Sequence, residues 1–247
     1  MRFFPILLFL LSAISSVAQF VSLPVDARSG AMGGCLLDND SRRYVELSHR
    51  QEFAVSGMST QRLGVGWTLG PRGWMTVDYT HFGDSDYSEQ QLSLGGGMKI
   101  DEWLDLGVEG RYCRLGTSDG YYEPERWATV AARATMRIGP RLTLSALAGS
   151  RPWDGGRPWR AHLNASFVPS SGLLAVVELE SEEALRFRCG AEYCYREHFF
   201  FRTGMATRPL TLTFGLGLRY ESYCIDLATE VHNTLGLTPQ ISLALWL

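Results

Sequence analysis

The residue types most able to do covalent or acid–base chemistry are scattered along this sequence. The five histidines show no HExxH or similar paired spacing, and the five cysteines form no CxxC pair. A hydrolase built into a barrel needs Ser, His and a polar partner within mutual reach, and no such constellation stands out. We therefore predict a protein that is not an enzyme and holds no metal or cofactor. The cysteines are better explained as isolated small hydrophobic residues than as a disulfide framework.

Charged residues, by contrast, occur within stretches that alternate with a period of two. Between 104 and 112 the apolar residues are Leu104, Leu106, Val108 and Tyr112, separated by Asp105, Gly107, Glu109 and Arg111. Between 210 and 220 every even position is apolar and the odd positions are Thr, Gly or Arg. A helix would repeat its apolar residues at i, i+3 and i+4, so these segments are predicted to be strands with one apolar face.

Fourteen such strands can be placed after residue 50. They lie near 51–59, 62–69, 73–82, 90–100, 103–114, 126–138, 140–150, 159–168, 172–180, 184–195, 198–207, 210–220, 222–232 and 239–247. Every second connection is short, and the others include the polar stretches Gly83–Glu89, Leu115–Glu125 and Arg151–Pro158. Short turns at one end and longer loops at the other are typical of transmembrane β-barrels.

Composition and aromatic placement favour a membrane barrel over a soluble sheet. The net charge of −3 excludes the basic footprint of a nucleic-acid-binding protein. Aromatic residues occur near the ends of the apolar faces, as at the two interfaces of a membrane. We predict an all-β fold, an antiparallel barrel of about 14 strands over residues 51–247, in the outer membrane of a Gram-negative bacterium. A periplasmic all-β domain is the alternative.

If the apolar face meets lipid, the charged residues of the strands face the lumen. These inward residues are Asp78, Asp105, Glu109, Arg111, Arg133, Arg186, Arg188, Glu192, Arg202, Arg219, Asp226, Glu230 and His232. Both signs occur in similar numbers, and arginine pairs bidentately with carboxylates. We predict a lumenal charge lattice built mainly from Asp105, Glu109, Arg111, Arg186, Arg188, Arg202, Arg219, Asp226 and Glu230. A polar permeation path is the second hypothesis for the same residues.

The N-terminus indicates export followed by a separate segment. Residues 1–18 combine Arg2, an apolar run and a small-x-small site at Ser16-Val17-Ala18, which predicts a cleaved signal peptide. An uncleaved anchor is disfavoured because the apolar run is too short to span a bilayer. Residues 19–50 do not alternate and are predicted to form a leader that plugs the lumen around Ala31, Met32, Gly33 and Gly34. A flexible periplasmic leader is the alternative.

Two parts of the chain resemble a known family. The stretch Asp26–Gly34 (DARSGAMGG), followed by Asp38-Asn39-Asp40, resembles the N-terminal signature of PorV/PorQ-type outer-membrane proteins, relatives of the FadL-like barrels. The alternating segments Phe214–Tyr220, Tyr223–Val231 and Gly236–Leu243 are similar to the last three strands of that family. The resemblance implies a 14-stranded barrel with its N-terminal segment inside.

The same resemblance implies two classes of function. One is a non-enzymatic accessory or structural component of a type IX-like protein secretion system, binding secretion proteins or exported cargo through loops. Candidate contact residues are the aromatics Tyr121, Tyr122, Trp153 and Trp159. The other is a FadL-like passive transporter of small hydrophobic molecules. The expected partner in both cases includes outer-membrane lipid, and the aromatic loops favour the accessory role.

Overall fold

A computed structural model describes residues 26–37, 43–118, 123–150, 159–181 and 184–247. The described residues form one short helix, one turn of 3-10 helix (Glu52–Ala54) and fourteen strands. They are α1 (Ala27–Ala31), β1 (Tyr44–Gln51), β2 (Ser59–Leu69), β3 (Gly73–Gly83), β4 (Tyr87–Lys99), β5 (Leu104–Thr117), β6 (Glu125–Ile138), β7 (Leu142–Ser150), β8 (Trp159–Ser170), β9 (Leu173–Ser181), β10 (Leu185–Tyr195), β11 (Phe199–Ala206), β12 (Thr211–Tyr220), β13 (Tyr223–His232) and β14 (Gly236–Trp246). The proposed signal peptide, residues 1–18, lies outside the described residues.

The fourteen strands form a closed antiparallel barrel, which confirms the predicted fold class. Each strand pairs with its neighbours in sequence, and β1 closes the sheet against β14 with Tyr44 opposite Trp246 and Arg50 opposite Gln240. Closure leaves no strand edge with unpaired backbone groups, which a sheet in lipid requires. Among the described residues, no helix is both long and apolar enough to cross a membrane.

The first strand differs from its predicted position. We expected it near 51–59, with residues 19–50 as a separate leader, but β1 is Tyr44–Gln51 and belongs to the barrel. Residues 52–58 instead turn the chain, with Phe53 and Ala54 at positive φ. The alternation of β1 is weak because its only outward apolar side chains are Val45 and Leu47. The other thirteen predicted strands end within three residues of the observed ones.

The barrel has a polar inside and an apolar outside. The largest fully buried side chains include His162, Glu178, Glu180 and Thr213, whereas leucine and aromatic side chains are the most numerous of the large apolar side chains on the exposed surface. Along β12, for example, Leu212, Phe214, Leu216 and Leu218 point outward between lumenal threonine and glycine residues. This distribution is the reverse of that in a water-soluble domain and matches a protein surrounded by lipid.

The outward face provides a direct test of lipid contact. Leu216 lies in the middle of β12 and faces outward. Leu216→Arg should lower the free energy of unfolding from lipid vesicles by about 2–4 kcal/mol, because the bilayer centre solvates the guanidinium poorly. Leu235→Arg, in the exposed β13–β14 connection, is the control and should change it little. Equal effects of the two substitutions in urea titrations would contradict a lipid-facing β12.

Candidate functional site

Residues 26–37, here called the lumenal segment, run along the inner wall of the barrel. Asp26 caps helix α1 by accepting a hydrogen bond from the Ser29 amide at 2.7 Å. The Ala27 amide donates to Ser242 Oγ of β14 at 2.7 Å. Farther along, the Gly33 amide donates to Thr213 Oγ1 at 2.9 Å, and that hydroxyl donates to the Ala31 carbonyl at 2.8 Å. Strand side chains therefore satisfy backbone groups of this segment that the short helix leaves free.

Three strand glycines let the lumenal segment approach the wall. A Cβ atom on Gly190 would lie 2.6 Å from the Met32 Cβ atom, and one on Gly204 would lie 2.5 Å from the Met32 carbonyl carbon. A Cβ atom on Gly215 would meet the Ala31 side chain. The segment itself turns at Gly33, where φ is +74°. Strands β10, β11 and β12 therefore present a backbone-lined groove to residues 31–33.

The predicted plug residues occupy this groove. Ala31 and Met32 are completely buried, Gly33 is buried, and Gly34 is half-buried. The carbonyl of Gly34 accepts a hydrogen bond from Arg188 Nη1 at 2.7 Å. The same segment continues to Leu36, whose amide donates to Glu178 Oε2 at 2.7 Å and whose carbonyl accepts from Asn164 at 2.9 Å.

A chain of buried ion pairs ties the helix of the lumenal segment to three strands. Arg28 makes two hydrogen bonds with Glu192, from Nε at 2.9 Å and from Nη2 at 2.8 Å. Glu192 also accepts from Arg202 Nε at 2.6 Å, and Arg202 donates to Asp226 at 2.5 Å. Burial opposes the charge of Arg28, but attraction to Glu192 outweighs it and raises the pKa of the guanidinium. Opposite charges thus alternate from the segment to β13.

A second set of polar contacts holds the lumenal segment against β8, β9 and β10. Arg188 donates to Glu180 from Nε at 2.9 Å and from Nη2 at 2.5 Å. Glu178, which accepts from Leu36, also lies 3.2 Å from His162 Nδ1, and both side chains are almost fully buried. Sequence reasoning missed Glu178, Glu180 and the segment's own Arg28. The signal available for the two glutamates was their alternation with outward Val177 and Leu179 along β9.

The remaining lattice candidates also face the lumen, with differing partners. Arg137 pairs with Asp105 at 3.0 Å, Arg111 pairs with Glu109 on its own strand, and Arg50 pairs with Glu230 at 3.2 Å. Arg186 lies 3.7 Å from Glu180, and Arg219 lies over the Phe200 ring with its guanidinium carbon 4.9 Å from the ring centroid.

One ion-paired group was only partly predicted: Asp78 was expected to face the lumen, but Arg62 and Glu46 were not in the sequence-based set. Arg62 bridges Glu46, at 2.9 Å, and Asp78. Glu46 was assigned to the leader, so its position on a barrel strand could not enter the prediction. Both Glu46 and Arg62 follow the outward–inward alternation once β1 and β2 are placed correctly.

The lumenal segment leaves a cavity of about 200 Å³ on the opposite side of the lumen. Its apolar lining includes Leu36 and Leu37 from the segment, together with the wall residues Trp74, Ala131 and Leu147. Charged side chains, among them Arg62, Asp78 and Arg111, border the same space. The cavity therefore offers an apolar surface beside polar groups that already have partners.

No covalent or metal chemistry emerges from the described part of the chain. Within it, no group of three or more His, Cys, Asp or Glu residues is placed to hold a metal ion. All five cysteines are free thiols, and burial, with the nearby charge of Glu178, raises the pKa of the Cys35 thiol. Of the four loop aromatics predicted to contact partners, Tyr121, Tyr122 and Trp153 lie outside the described residues. Trp159 begins β8 and is about half exposed on the outer surface.

Fold and site together define a closed 14-stranded barrel with a segment of its own chain docked in the lumen. No family model matches the sequence, and no curated protein matches it. Solved structures do match in fold. They include the CymD monoaromatic hydrocarbon channel, with a TM-score of 0.68 and 10% identity over 93% of this chain and 99% of that one.

Two further similar structures come from Pseudomonas. A Pseudomonas aeruginosa FadL homologue has a TM-score of 0.67 and 11% identity over 91% of this chain and 99% of that one. The Pseudomonas putida toluene transporter TodX has a TM-score of 0.66 and 11% identity over 92% and 98% of the two chains. These neighbours are FadL-family outer-membrane channels, and they do not confirm the resemblance to PorV and PorQ.

The groove glycines provide a test of segment docking. Gly190→Val should displace Met32 and expose Cys35, because the added side chain overlaps the segment backbone. The rate of Cys35 alkylation by a maleimide, followed by peptide mass mapping, should then rise roughly tenfold or more, as expected for a local opening made easier by at least about 1.4 kcal/mol. The matched control is Gly110→Val on β5, where a Cβ atom would meet nothing within 4 Å. An unchanged rate in Gly190→Val would contradict the docking.

Proposed function

We propose that this protein is an outer-membrane channel that passes small hydrophobic molecules, with its lumenal segment closing the barrel to free flow of water and ions. The observation that carries the proposal is the occupied lumen: the segment is held by side chains from β8 to β14 and lies beside a cavity of molecular size. An ion-conducting porin needs a continuous aqueous path instead. The protein is not proposed to be an enzyme.

The cavity has a suitable size and surface for such a cargo. An apolar cavity of about 150 Å³ in another protein holds one benzene molecule, so a space of about 200 Å³ has room for one small ring compound. Leu36, Leu37 and Leu147 supply apolar contact, and Trp74 adds an aromatic surface. The similar fold of a monoaromatic hydrocarbon channel and of a toluene transporter supports this class of cargo.

The localisation belongs to the same proposal. Its support is the outward apolar face of the closed barrel, together with the likeness to outer-membrane channels. We infer residence in the outer membrane of a Gram-negative bacterium, with lipid as the surrounding partner.

The secretion-accessory role was favoured by the sequence, but nothing in the described structure favours it over transport. Its proposed contact loops fall largely outside the described residues, and the similar structures are channels. Copurification of detergent-extracted protein with secretion components, combined with absence of hydrophobic uptake, would favour that role instead.

Removing the lumenal segment should open the channel to ions. Deletion of residues 26–37 is expected to produce stepwise conductance in planar bilayers that the full chain lacks, because it clears the groove and joins it to the cavity. Heat-modifiable migration in detergent gels confirms that the deleted variant remains a folded barrel. A folded variant with the same conductance as the full chain would show that the segment does not close the lumen.

Filling the cavity should slow uptake of a hydrophobic probe. Leu147→Trp adds bulk to the cavity lining and should lower toluene uptake by cells or vesicles that carry the protein. Leu144→Trp is the matched control, since Leu144 lies on the same strand but faces outward, and it should leave uptake unchanged. The proposal fails if folded wild-type protein does not accelerate uptake over protein-free membranes.

A further inference from the structure

Glu89 on β4 is a buried carboxylate without a charged partner among the described residues. It is 5% exposed, and its Oε1 atom accepts a hydrogen bond from the Tyr87 hydroxyl. Its other oxygen, Oε2, is buried and has no hydrogen-bond partner in the described part of the chain. Burying an unpaired carboxylate is costly, and an ionisable residue inside a membrane barrel marks a functional site by default.

Two hydroxyl groups near Glu89 are likewise buried and without a hydrogen-bond partner among the described residues. Thr60 on β2 and Thr80 on β3 are at least nine-tenths buried, and neither Oγ1 atom has a hydrogen-bond partner within the ranges that the structure describes. Strand register brings the three residues into one neighbourhood. Thr60 and Glu89 both lie directly opposite Phe82, while Thr80 lies opposite Gln91, two residues from Glu89. Thr80 is therefore the diagonal neighbour of both Glu89 and Thr60, and diagonal neighbours on one sheet face lie within side-chain reach. Thr60 and Glu89 lie two strands apart, on either side of Phe82.

The two arginines directly opposite the threonines are paired with other carboxylates. Arg62 lies opposite Thr80 but pairs with Glu46 and Asp78. Arg50 lies opposite Thr60 but pairs with Glu52 and Glu230. Each of these arginines is outnumbered by its two carboxylate partners, so the local formal charge is negative. The unpartnered atoms of Glu89, Thr60 and Thr80 themselves are oxygens that can accept hydrogen bonds.

Aromatic rings complete the surroundings. Phe82 and Tyr87 pack edge to face with their ring centroids 6.3 Å apart, and Phe82 stands in the same row as Thr60 and Glu89. An ammonium group can donate to a carboxylate and to hydroxyls, and it is attracted to ring faces. The aromatic rings favour an organic ammonium over calcium or magnesium, since those ions take their ligands from oxygen atoms.

We propose that Glu89, Thr60 and Thr80 form a binding site for an organic ammonium group in the half of the lumen near the long loops. Glu89 supplies the charge and one acceptor, the two threonines supply further acceptors, and Phe82 with Tyr87 supplies an aromatic surface. The site goes beyond transport of uncharged hydrophobic molecules and is tested independently of it.

The test compares two probes that differ in charge. Phenethylammonium and the neutral 2-phenylethanol are titrated calorimetrically into the folded full-length protein in detergent. Wild-type protein should bind phenethylammonium about tenfold more tightly, a difference of about 1.4 kcal/mol. Glu89→Gln should remove this preference, and Thr80→Val should reduce it. Glu102→Gln, an exposed acid in the β4–β5 turn, is the control and should preserve it.

Several results would overturn the proposal. Equal or undetectable binding of the two probes by wild-type protein would show that water alone satisfies the three oxygens. Preference for the ammonium that survives in folded Glu89→Gln would place cation binding elsewhere, for example at the carboxylates of the cavity. If Glu89→Gln does not fold, as judged by heat-modifiable migration, an unchanged preference in Thr80→Val would overturn the proposal. None of these measurements depends on hydrophobic uptake.

Discussion

Closure of β1 against β14 is the constraint on which the rest of the structure depends. A sheet in hydrocarbon cannot leave backbone N–H and C=O groups unpaired, so its two edge strands must bond to each other. Once the sheet is closed, the period-two alternation divides every strand into a lipid-facing and a lumenal set. The charged residues of the strands are then confined to a narrow interior, where each needs a partner. Buried pairs such as Arg202 with Glu192 follow from this confinement.

The lumenal segment supplies some of the partners of these charged residues, and it lies in the space that strand glycines leave. Gly190, Gly204 and Gly215 remove side chains from one side of the lumen, so residues 31–33 lie directly on the strands. Arg28 then brings a positive charge to Glu192, and Glu178 accepts the Leu36 amide. Packing, hydrogen bonding and electrostatics all act at the same contact surface. The segment is thus held as part of the barrel interior. This is the physical basis for the proposal that it closes the lumen to water and ions.

The two sides of the lumen differ in what occupies them. On the β8–β14 side the lumenal segment donates and accepts hydrogen bonds along its length. On the β2–β7 side a cavity remains, and near the long-loop end Glu89, Thr60 and Thr80 retain unpartnered buried oxygens. Binding capacity therefore lies on the side that the segment does not cover. The apolar lining of the cavity and the buried oxygens of Glu89, Thr60 and Thr80 suit different chemical groups, and both face one lumen.

The sequence by itself determined the barrel, its strand number and the inward side of strand charges such as Asp105, Arg202 and Asp226, because period two is a local property of the chain. It misplaced β1, since Val45 and Leu47 are too few to outweigh the polar residues around them. The glycine-rich stretch around Gly33 pointed to the lumen, but its partners could not be inferred from sequence spacing: Arg28 and Glu192 are 164 residues apart. Only the tertiary structure decided which charges pair, where the cavity remains, and that Glu89 has no charged partner among the described residues. These are properties of distances across the lumen, and barrel closure, not the local pattern, sets those distances.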